Sequence, residues 1–522
     1  PSAVRDRRTG PSPMLRNEPR LRDSEAPDRV KDTRRLDIRA QESYYFSRVP
    51  LPGRKDTQMR FPSQRSVADS FSSISLDAGT DLALKDGSRV AVIGGGPAGS
   101  FFSYFLLKMA EAIDLELEVD IFEPRFFTRG GPSGCNHCGG IVSESLVQIL
   151  AAEGINLPTE VVQRGIESYV VHMDVGSVAI QSPAKESRIA ALYRGNGPRD
   201  GGELQWESFD GYLQGMAVER GARVRHKLVT GVDWTDGKPV LIENDGHASA
   251  YDLVTVSAGV NSNFIGMLKD SPAGVAPPKT TRTYICEFKV GREGVHEIMG
   301  NAMHVFLLSI PRLEFAALIP KGEFVTMVML GDELDQELVH AFLDDPTVRR
   351  CFPTDEKPVV CSCSPLINMG ATKRPYGDRI VMIGDSGVTR LYKDGIGASY
   401  RTAKAAAATA VYQGISADTF EEHFWPACKA ISSDNAIGKV IFGVTTLFKH
   451  SKISRRAILR MTSLEQEQEK APHMSSVLWN MFTGRAPYKE IFTSTLHPGF
   501  IGSLVWNLAH GMRPSGGNGK VA

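Results

Sequence analysis

The sequence predicts an α/β fold in which a parallel-sheet domain is interleaved with a strand-rich domain and followed by a helical C-terminal extension. A strand, a glycine-rich turn and a helix start follow one another over Val90–Ser100. Two more short buried strands lie far downstream and end at Gly259 and Asp385. Between them, residues 280–330 alternate in hydrophobicity like antiparallel strands, and helical apolar spacing dominates from about residue 416.

The glycine-rich turn has the spacing Gly94-x-Gly96-x-x-Gly99, which is typical of dinucleotide binding when it joins a strand to a helix. Gly94 makes the turn, Gly96 lets the backbone approach a pyrophosphate, and Gly99 lets the helix pack closely on the strand. Pro97 and Ala98 belong to the same predicted site. Because the helix start presents free N–H groups and a partial positive charge to phosphates, the domain is predicted to be Rossmann-like.

The next predicted strand ends in an acidic residue, as a dinucleotide-binding unit requires. Glu123 is placed to bind the ribose hydroxyls of an adenosine half, and Pro124 and Arg125 follow it in the predicted site. The first βαβ unit consists of strand Arg89–Ile93, helix Gly99–Ala112 and strand Leu117–Phe122.

The composition is that of a globular protein. Of the 522 residues, 42% are apolar and 23% are charged, and the 60 Lys and Arg balance the 60 Asp and Glu. This balance gives no electrostatic reason to expect a nucleic-acid partner. Seven cysteines without a regular framework indicate free thiols in a reducing compartment, so we expect a cytoplasmic protein. The sequence shows neither an apolar run of membrane-spanning length nor a signal peptide.

Residues 1–86 differ from the rest of the chain, because they are rich in Arg, Asp, Pro and Ser and have few periodic apolar positions. This composition predicts a disordered or surface-wrapping extension. The mixed charges over Arg5–Arg39 argue against an organellar transit peptide, which avoids acids. The extension is either a solvated tail or an arm that binds a partner protein.

The other predicted elements divide between two domains and a C-terminal region. The nucleotide-binding domain takes residues 87–165, 203–262 and 370–415, the strand-rich substrate domain takes 166–202 and 263–369, and the helical region takes 416–522. The remaining predicted elements are strands Ser168–Met173, Ser177–Ser182, Ala222–Lys227, Gly231–Trp234, Tyr251–Gly259, Thr280–Val290, His304–Ile310, Glu314–Pro320, Glu323–Leu330 and Asp378–Asp385, with helices Glu207–Gly221 and Ala398–Tyr412.

Three landmarks stand in the order found in a known class of enzymes. They are the turn at 94–99, the segment Asp252–Gly259 and the segment Ile383–Gly387. Together they resemble the FAD-dependent oxidoreductases of the p-hydroxybenzoate-hydroxylase structural class. The resemblance covers roughly residues 88–415.

Within that class, the chain is similar to the geranylgeranyl reductase family. Cys138–Ser143 resembles the family's Cys-Gly-Gly segment, and Leu157–Arg164 resembles its Leu-Pro segment. Gly384–Gly397 has the spacing of the family's Gly-Asp-x-x-Gly … Gly-x-Gly element.

The resemblance implies FAD in a glutathione-reductase-like domain. Asp385 would accept hydrogen bonds from the ribityl hydroxyls. The helix start at Gly395 and Gly397 would direct N–H groups at the flavin N1/O2 edge, where negative charge develops on reduction, and glycine there lets the backbone approach the ring. The resemblance also assigns cofactor contacts to Gly139, Gly140, Gly259, Gly384 and Ile396.

The segment Cys135-Asn-His-Cys138 has three interpretations. It is a loop that lines the flavin, a redox pair that exchanges electrons beside it, or half of a metal site, for which Cys361-x-Cys363 has poor spacing. Cys138 and His137 are the candidate catalytic residues, and His137 would act as a proton donor or make a structural hydrogen bond. No metal is assigned to the site.

The resemblance implies hydride transfer from reduced flavin to a carbon–carbon double bond of an apolar, isoprenoid-like substrate. The family's motif Tyr-x-Trp-x-Phe-Pro corresponds here to the segment from Phe315 to Pro320, with Ala317 at the tryptophan position, and these three are the predicted substrate residues. The alternatives are a flavin monooxygenase of the same class and a flavin-bearing electron-transfer or assembly subunit of a membrane complex.

Only one complete glycine fingerprint is present, so no second Rossmann unit is predicted for a resident nicotinamide. NAD(P)H would bind transiently as the electron donor, or electrons would come from a protein or a quinol.

The C-terminal region combines apolar helical spacing with basic residues and aromatics. This pattern is typical of peripheral contact with a membrane surface or a protein complex, and equally of a helical cap packed on the flavin domain. The apolar positions are Ile437, Val440, Ile441, Val444, Leu447 and Phe448, the basic ones Lys449, Lys452, Arg455, Arg456 and Arg460, and the aromatics Trp479, Phe482, Phe492, Phe500 and Trp506.

Overall fold

The computed structural model describes residues 82–128, 130, 138–182, 189–198, 207–268, 275–353, 358–467 and 473–511. In this part of the chain the strands are β1 (Ser88–Ile93), β2 (Leu117–Phe122), β3 (Ile141–Val142), β4 (Val162–Ile166), β5 (Ser168–Met173), β6 (Gly176–Gln181), β7 (Ile189–Leu192), β8 (Arg223–Arg225), β9 (Val229–Thr235), β10 (Lys238–Glu243), β11 (Ala248–Ala250), β12 (Leu253–Val256), β13 (Thr280–Lys289), β14 (Ala302–Phe306), β15 (Leu313–Lys321), β16 (Phe324–Gly331), β17 (Val359–Cys363), β18 (Leu366–Asn368), β19 (Tyr376–Gly377) and β20 (Ile380–Met382).

The helices are α1 (Pro97–Glu111), α2 (Glu144–Ala152), α3 (Phe209–Glu219), α4 (Phe264–Met267), α5 (Arg292–Met299), α6 (Gln336–Leu343), α7 (Pro346–Arg349), α8 (Gly395–Tyr412), α9 (Ala417–Thr419), α10 (Trp425–His450), α11 (Lys452–Glu467), α12 (His473–Thr483), α13 (Tyr488–Thr495) and α14 (Pro498–Gly511). A π-helical turn, Phe420–Phe424, joins α9 to α10.

The first sheet has the strand order β19-β20-β12-β1-β2-β8 and is parallel except at β19. β1 is nearly continuous in apolar, buried residues, as a parallel strand covered on both faces requires. The chain runs from β1 to β2 on one side and later returns to β12 on the other. Such a reversal opens a crevice at the carboxyl end of β1, where ligands of doubly wound sheets bind. The predicted α/β class is confirmed.

Helices α1 and α8 pack together on this sheet. The ring of Tyr400 meets the rings of Phe101 and Phe105 edge-on, at centroid distances of 5.9 and 5.6 Å. Because α1 starts after β1 and α8 follows β20, this packing brings the N-termini of both helices to the same edge of the sheet.

Both helices begin earlier than the sequence predicts. α1 starts at Pro97 instead of Gly99, because proline lacks the N–H that a first helical residue leaves unpaired. α8 starts at Gly395 instead of Ala398, so Gly395 and Gly397 belong to its first turn. The strand predicted over His304–Ile310 is also shifted toward the N-terminus, since β14 covers Ala302–Phe306.

The second large sheet has the order β17-β13-β16-β15-β14-β5-β6, with β18 beside β13. It is antiparallel except between β14 and β5. One face packs against α5–α7 through residues such as Leu318 and Phe342. The other face packs against the C-terminal helices through Ala317, Ile319 and Trp479. Side chains of one strand thus alternate between two cores.

Two smaller three-stranded sheets have the orders β3-β7-β4 and β11-β10-β9. All described residues belong to one compact unit, and the predicted domain limits stay a prediction.

The C-terminal helices are attached to the loop before α8. Arg390 donates to the carbonyls of Gly484 and Ala486, and Tyr488 donates to that of Leu391. Asn435 on α10 also joins this loop. The helical region therefore contacts the predicted flavin site directly. Among the described residues, none of the helices is long and apolar enough to cross a membrane.

The predicted basic and aromatic residues of this region divide into two groups. Lys449 donates to backbone carbonyls of β15, and Arg455 pairs with Asp174, so these two cations are buried structural residues. Trp479, Phe482 and Phe500 are also buried. The exposed members are Lys452, Arg456, Arg460, Val440, Val444, Leu447, Phe492 and Trp506.

Candidate functional site

Two glycines of the predicted dinucleotide turn are required by the packing of the chain itself. Gly94 has a φ of +104°, and a Cβ there would lie 2.6 Å from the carbonyl oxygen of Ser257 on the neighbouring strand connection. A Cβ at Gly99 would lie 2.0 Å from the carbonyl oxygen of Gly94. Any side chain at either position would therefore displace backbone.

Gly96 is different, because a side chain there would crowd only the Arg194 side chain and no backbone of the described residues. Its φ of −69° suits any residue, and a Cβ would come no closer than 3.3 Å, to Nη2 of Arg194. Gly395, at the start of α8, is similar, since its Cβ would lie 3.6 Å from the Thr389 hydroxyl. Neither helix start therefore needs glycine to avoid the backbone of the described residues. Glycine at both positions leaves the backbone open to close approach.

Glu123 lies at the end of β2, beside the turn. Its Oε2 accepts the Gly95 N–H at 3.0 Å, and its Oε1 accepts the backbone N–H and Nε of Arg125 at 3.1 and 3.0 Å. The carboxylate is only 2% exposed. A ribose would use its remaining lone pairs. Pro124 lies between the two paired residues and is exposed.

The segment Gly384–Ser386 converges on the same edge of the sheet. Gly384 has a φ of +58°, and its Cβ would lie 2.7 Å from Cβ of Ala98 on α1. The Ser386 hydroxyl accepts the N–H of Gly259, which follows β12. The structure therefore brings the turn at 94–99, Gly259 and Asp385 together, although they are distant in sequence.

The first turn of α8 completes this arrangement. Asp394, with a φ of +53°, precedes the helix, and its carboxylate would lie 2.2 Å from a Cβ on Gly397. Ile396 is buried. A Cβ on Gly395 would lie 3.9 Å from Oδ1 of Asp385, so the helix start and this carboxylate face the same space. Burial raises the pKa of Asp385, against the opposing effects of Thr389 and Arg194.

Arg194 is a site residue that the sequence does not reveal. Its Nε and Nη2 lie 3.0 and 2.8 Å from the two carboxylate oxygens of Asp210, at the start of α3. The same Nη2 lies over Gly96. The pairing is bidentate, which fixes the plane of the guanidinium. The guanidinium of Arg194 is thereby held at the glycine-rich turn.

Cys138 and the following glycines lie between the second large sheet and the small sheet β3-β7-β4. The Gly140 N–H donates to Cys138 Sγ at 3.3 Å. A Cβ on Gly139 would lie 3.2 Å from Val328 and 3.4 Å from Ile319, side chains on the C-terminal-helix face of the second sheet. Gly140 has a φ of +67° and packs on the Leu192 carbonyl. Cys135 and His137 lie outside the described residues.

The predicted substrate residues do not share one wall. Phe315 and Ala317 lie on the face of β15 that packs toward the C-terminal helices. Pro320 pairs with Val325, which belongs to the opposite core against α5–α7. Because strand side chains alternate, Pro320 points away from the other two. An apolar wall here consists of Ala317, Ile319 and Val328 instead.

Lys393 is a second residue that the sequence analysis missed. Its Nζ lies 4.6 Å from the ring centroid of Phe315 and 5.5 Å from that of Phe482 on α12. Burial lowers the pKa of Lys393 to about 8. The ammonium group thus lies between β15 of the second sheet and the C-terminal helices, immediately before the N-terminus of α8. Its only sequence signal is its place within the Gly384–Gly397 element.

Solved structures share this fold, whereas no protein-family model and no curated protein matches the sequence. A geranylgeranyl bacteriochlorophyll reductase-like protein from Thermoplasma acidophilum matches at 14% identity with a TM-score of 0.55, over 82% of this chain and 100% of its own. The halogenase PltM in complex with phloroglucinol and FAD matches at 11% identity and a TM-score of 0.52, over 80% of this chain and 96% of its own.

A p-nitrophenol 4-monooxygenase from Pseudomonas putida DLL-E4 matches at 13% identity and a TM-score of 0.50, over 77% of this chain and 98% of its own. At such identities the likeness concerns the fold. The resemblance predicted from the sequence is confirmed at that level: the chain has the fold that a geranylgeranyl-reductase-like protein shares with a monooxygenase and an FAD-bound halogenase.

Proposed function

We propose that the protein is an FAD-dependent oxidoreductase that reduces a carbon–carbon double bond of an apolar substrate. The observation that carries the proposal is that the N-termini of α1 and α8 meet at one crevice beside Asp385. Gly96 immediately precedes α1, and Gly395 is the first residue of α8. In FAD the pyrophosphate lies in the middle of the molecule and the flavin at one end, so one helix start would meet the pyrophosphate and the other would meet the flavin.

The residues of the crevice fit FAD along its length. The α1 N-terminus and the guanidinium of Arg194 would hold the pyrophosphate, and Glu123 would hold the adenosine ribose. Asp385 would accept hydrogen bonds from ribityl hydroxyls. The first turn of α8 would approach the flavin pyrimidine edge. When bound, FAD supplies a hydride acceptor and donor.

The chain itself would position the substrate and the proton. The loop at Cys138–Gly140 packs on Ile319 and Val328, so an apolar chain lying along this face would be next to the cofactor crevice. Lys393 Nζ, whose pKa burial lowers to about 8, would hold the proton that completes reduction of the double bond. The surrounding apolar core would exclude water from this region.

We infer that the exposed apolar face of the C-terminal helices rests on a lipid surface, from which an apolar substrate would be taken. Val440, Val444 and Leu447 form one stripe of α10, and Leu447 is 72% exposed. Trp506 on α14 is 62% exposed. Exposed basic side chains at Lys452, Arg456 and Arg460 favour an anionic surface.

Anaerobic stopped-flow spectroscopy of the FAD-loaded protein tests the proposal. The flavin absorbance is followed after mixing with NADPH, NADH or a reduced quinone analogue, and then with a polyprenyl substrate. Bleaching by a donor, followed by reoxidation with the polyprenyl compound faster than with oxygen, is expected. Fast reoxidation by oxygen coupled to hydroxylation of an aromatic compound would instead establish a monooxygenase. Absence of bleaching by all three donors would contradict both.

A further inference from the structure

Three buried side chains with metal-ligating atoms meet on the second sheet, on the face away from the Cys138–Gly140 loop. His172 Nε2 lies 2.9 Å from His304 Nδ1, and Cys351 Sγ lies 3.3 Å from the same Nδ1. All three ligand atoms lie within 4.8 Å of one another. The residues are 7%, 7% and 4% exposed.

The fold determines that these residues meet. β5 and β14 are parallel neighbours in which His172 is paired with Phe306, so His304 lies diagonally across on the same face. Cys351 follows α7, which covers this face together with α6. Three separate elements therefore each contribute one donor, and a bond between the donors would tie the helical cover to the sheet.

The donor set is that of a zinc-class ion. Two imidazole nitrogens and one thiolate are frequent zinc ligands, and in tetrahedral sites donors 2.0–2.3 Å from the ion lie about 3.3–3.7 Å apart. The separation of 2.9 Å between the two imidazole nitrogens is shorter than this range, and the separation of 3.3 Å between Cys351 Sγ and His304 Nδ1 is at its lower limit. Small side-chain rotations that widen the group by a few tenths of an ångström would admit an ion.

A second hydrogen bond already orients one ligand. His172 Nδ1 lies 2.7 Å from the Ser177 hydroxyl, on the opposing strand β6, so Nε2 is directed into the cluster. The His172 ring also stacks on Phe306 at 4.6 Å. Metal-bound histidines in proteins are generally fixed in this manner through their other nitrogen.

The charges around the cluster allow a cation. Arg350 is the charged side chain whose field acts on both His172 and Cys351. It is exposed, so water screens its repulsion of an ion. The thiolate formed on binding would be attracted by the same guanidinium.

We propose that His172, His304 and Cys351 bind a divalent ion of the zinc class, with water as the fourth ligand. Binding forms two N–metal bonds and one S–metal bond, and the thiol proton of Cys351 passes to solvent. The ion would fasten α6 and α7 to β5 and β14. The site is separate from the flavin crevice, so it does not depend on the proposed oxidoreductase activity.

Cobalt spectroscopy of the chelator-treated full chain tests this site. Titration with Co²⁺ is expected to give visible d–d bands and a near-ultraviolet thiolate-to-cobalt band that saturate at one ion per chain. Cys351→Ser should remove the thiolate band, whereas Cys428→Ser, at a buried thiol on α10, should leave it unchanged. Zn²⁺ should displace the cobalt and abolish both bands.

Further variants keep the test decisive if Cys351→Ser fails to fold. Ser177→Ala keeps all three ligands and should weaken Co²⁺ binding roughly tenfold. His340→Ala, at an exposed histidine on α6, should not change it. A wild-type protein that gives no saturable cobalt spectrum, or a thiolate band that persists in Cys351→Ser, would overturn the proposal.

Discussion

The guanidinium of Arg194 and the carboxylate of Asp210 form a two-bond pair, with N–O distances of 3.0 and 2.8 Å, directly over Gly96. The Asp210 carboxylate is completely buried. Asp210 therefore positions the guanidinium over the glycine-rich turn.

Removing one partner of this pair should destabilise the protein more than removing both. Arg194→Met leaves a buried carboxylate without its partner, so the free energy of unfolding should fall by about 3–5 kcal/mol. The double variant Arg194→Met/Asp210→Leu should regain most of the lost free energy of unfolding. It should nevertheless bind FAD more weakly than the wild type, because it lacks the guanidinium. Urea unfolding and FAD titration measure the two effects. Wild-type FAD affinity in the double variant would show that Arg194 does not contact the cofactor.

Asp385→Asn separates cofactor binding from stability. Desolvation raises the pKa of the Asp385 carboxyl group, so removing its charge should not lower the thermal stability of the apoprotein. Hydrogen bonds to a charged group contribute about 1.5–3 kcal/mol, so FAD affinity should fall roughly 10- to 100-fold. Asp418→Asn, at an exposed position on α9, is the matched control. Undiminished FAD affinity in Asp385→Asn would refute the ribityl contact.

Lys393 should make stability depend on pH in the alkaline range. Its pKa is lowered by burial to about 8, from 10.5. Between pH 8 and pH 10.5 the unfolded chain binds more protons than the folded protein does, so the free energy of unfolding should rise with pH. The destabilisation caused by the charged Lys393 should be complete only below about pH 8.

Lys393→Met should remove this dependence and stabilise the protein at pH 7 by about 1–3 kcal/mol. Chemical unfolding at pH 7 and pH 10 measures the difference. Lys404→Met is the control, and it should change the stability at pH 7 in the opposite direction. Desolvation lowers the pKa of Lys404, but hydrogen bonding to Glu153 outweighs this effect and raises it. An identical dependence of stability on pH in Lys393→Met and the wild type would contradict the lowered pKa of Lys393.

The exposed stripe on α10 should bind anionic vesicles. Val444→Glu/Leu447→Glu places two negative charges on the exposed apolar face, so co-sedimentation with phosphatidylglycerol vesicles should fall at least tenfold. Val218→Glu, at an equally exposed position on α3, should have no effect. Sedimentation of the wild type that is no greater than that of the double variant would remove the lipid-surface proposal.

Local features of the site were predictable, and long-range pairings were not. The turn at Gly94–Gly99 and the acid at Glu123 follow from residue spacing within one βαβ unit. Arg194 meets its partner sixteen residues later, across a segment without periodicity, and no local signal identifies it. The pairing of Ala317 with Val328 depends on the register of two strands in the second sheet, which the sequence alone does not determine.

FAD binding by Gly395→Ala tests the central claim most directly. The added methyl group would meet no atom of the chain closer than 3.6 Å, and alanine favours a helix by about 1 kcal/mol relative to glycine, so stability should not fall. Gly215→Ala, at an exposed glycine on α3, is the control for this helix effect. If the α8 N-terminus approaches the flavin, Gly395→Ala should bind FAD at least tenfold more weakly than both the wild type and Gly215→Ala. Equal FAD affinity in all three proteins would contradict the proposed site.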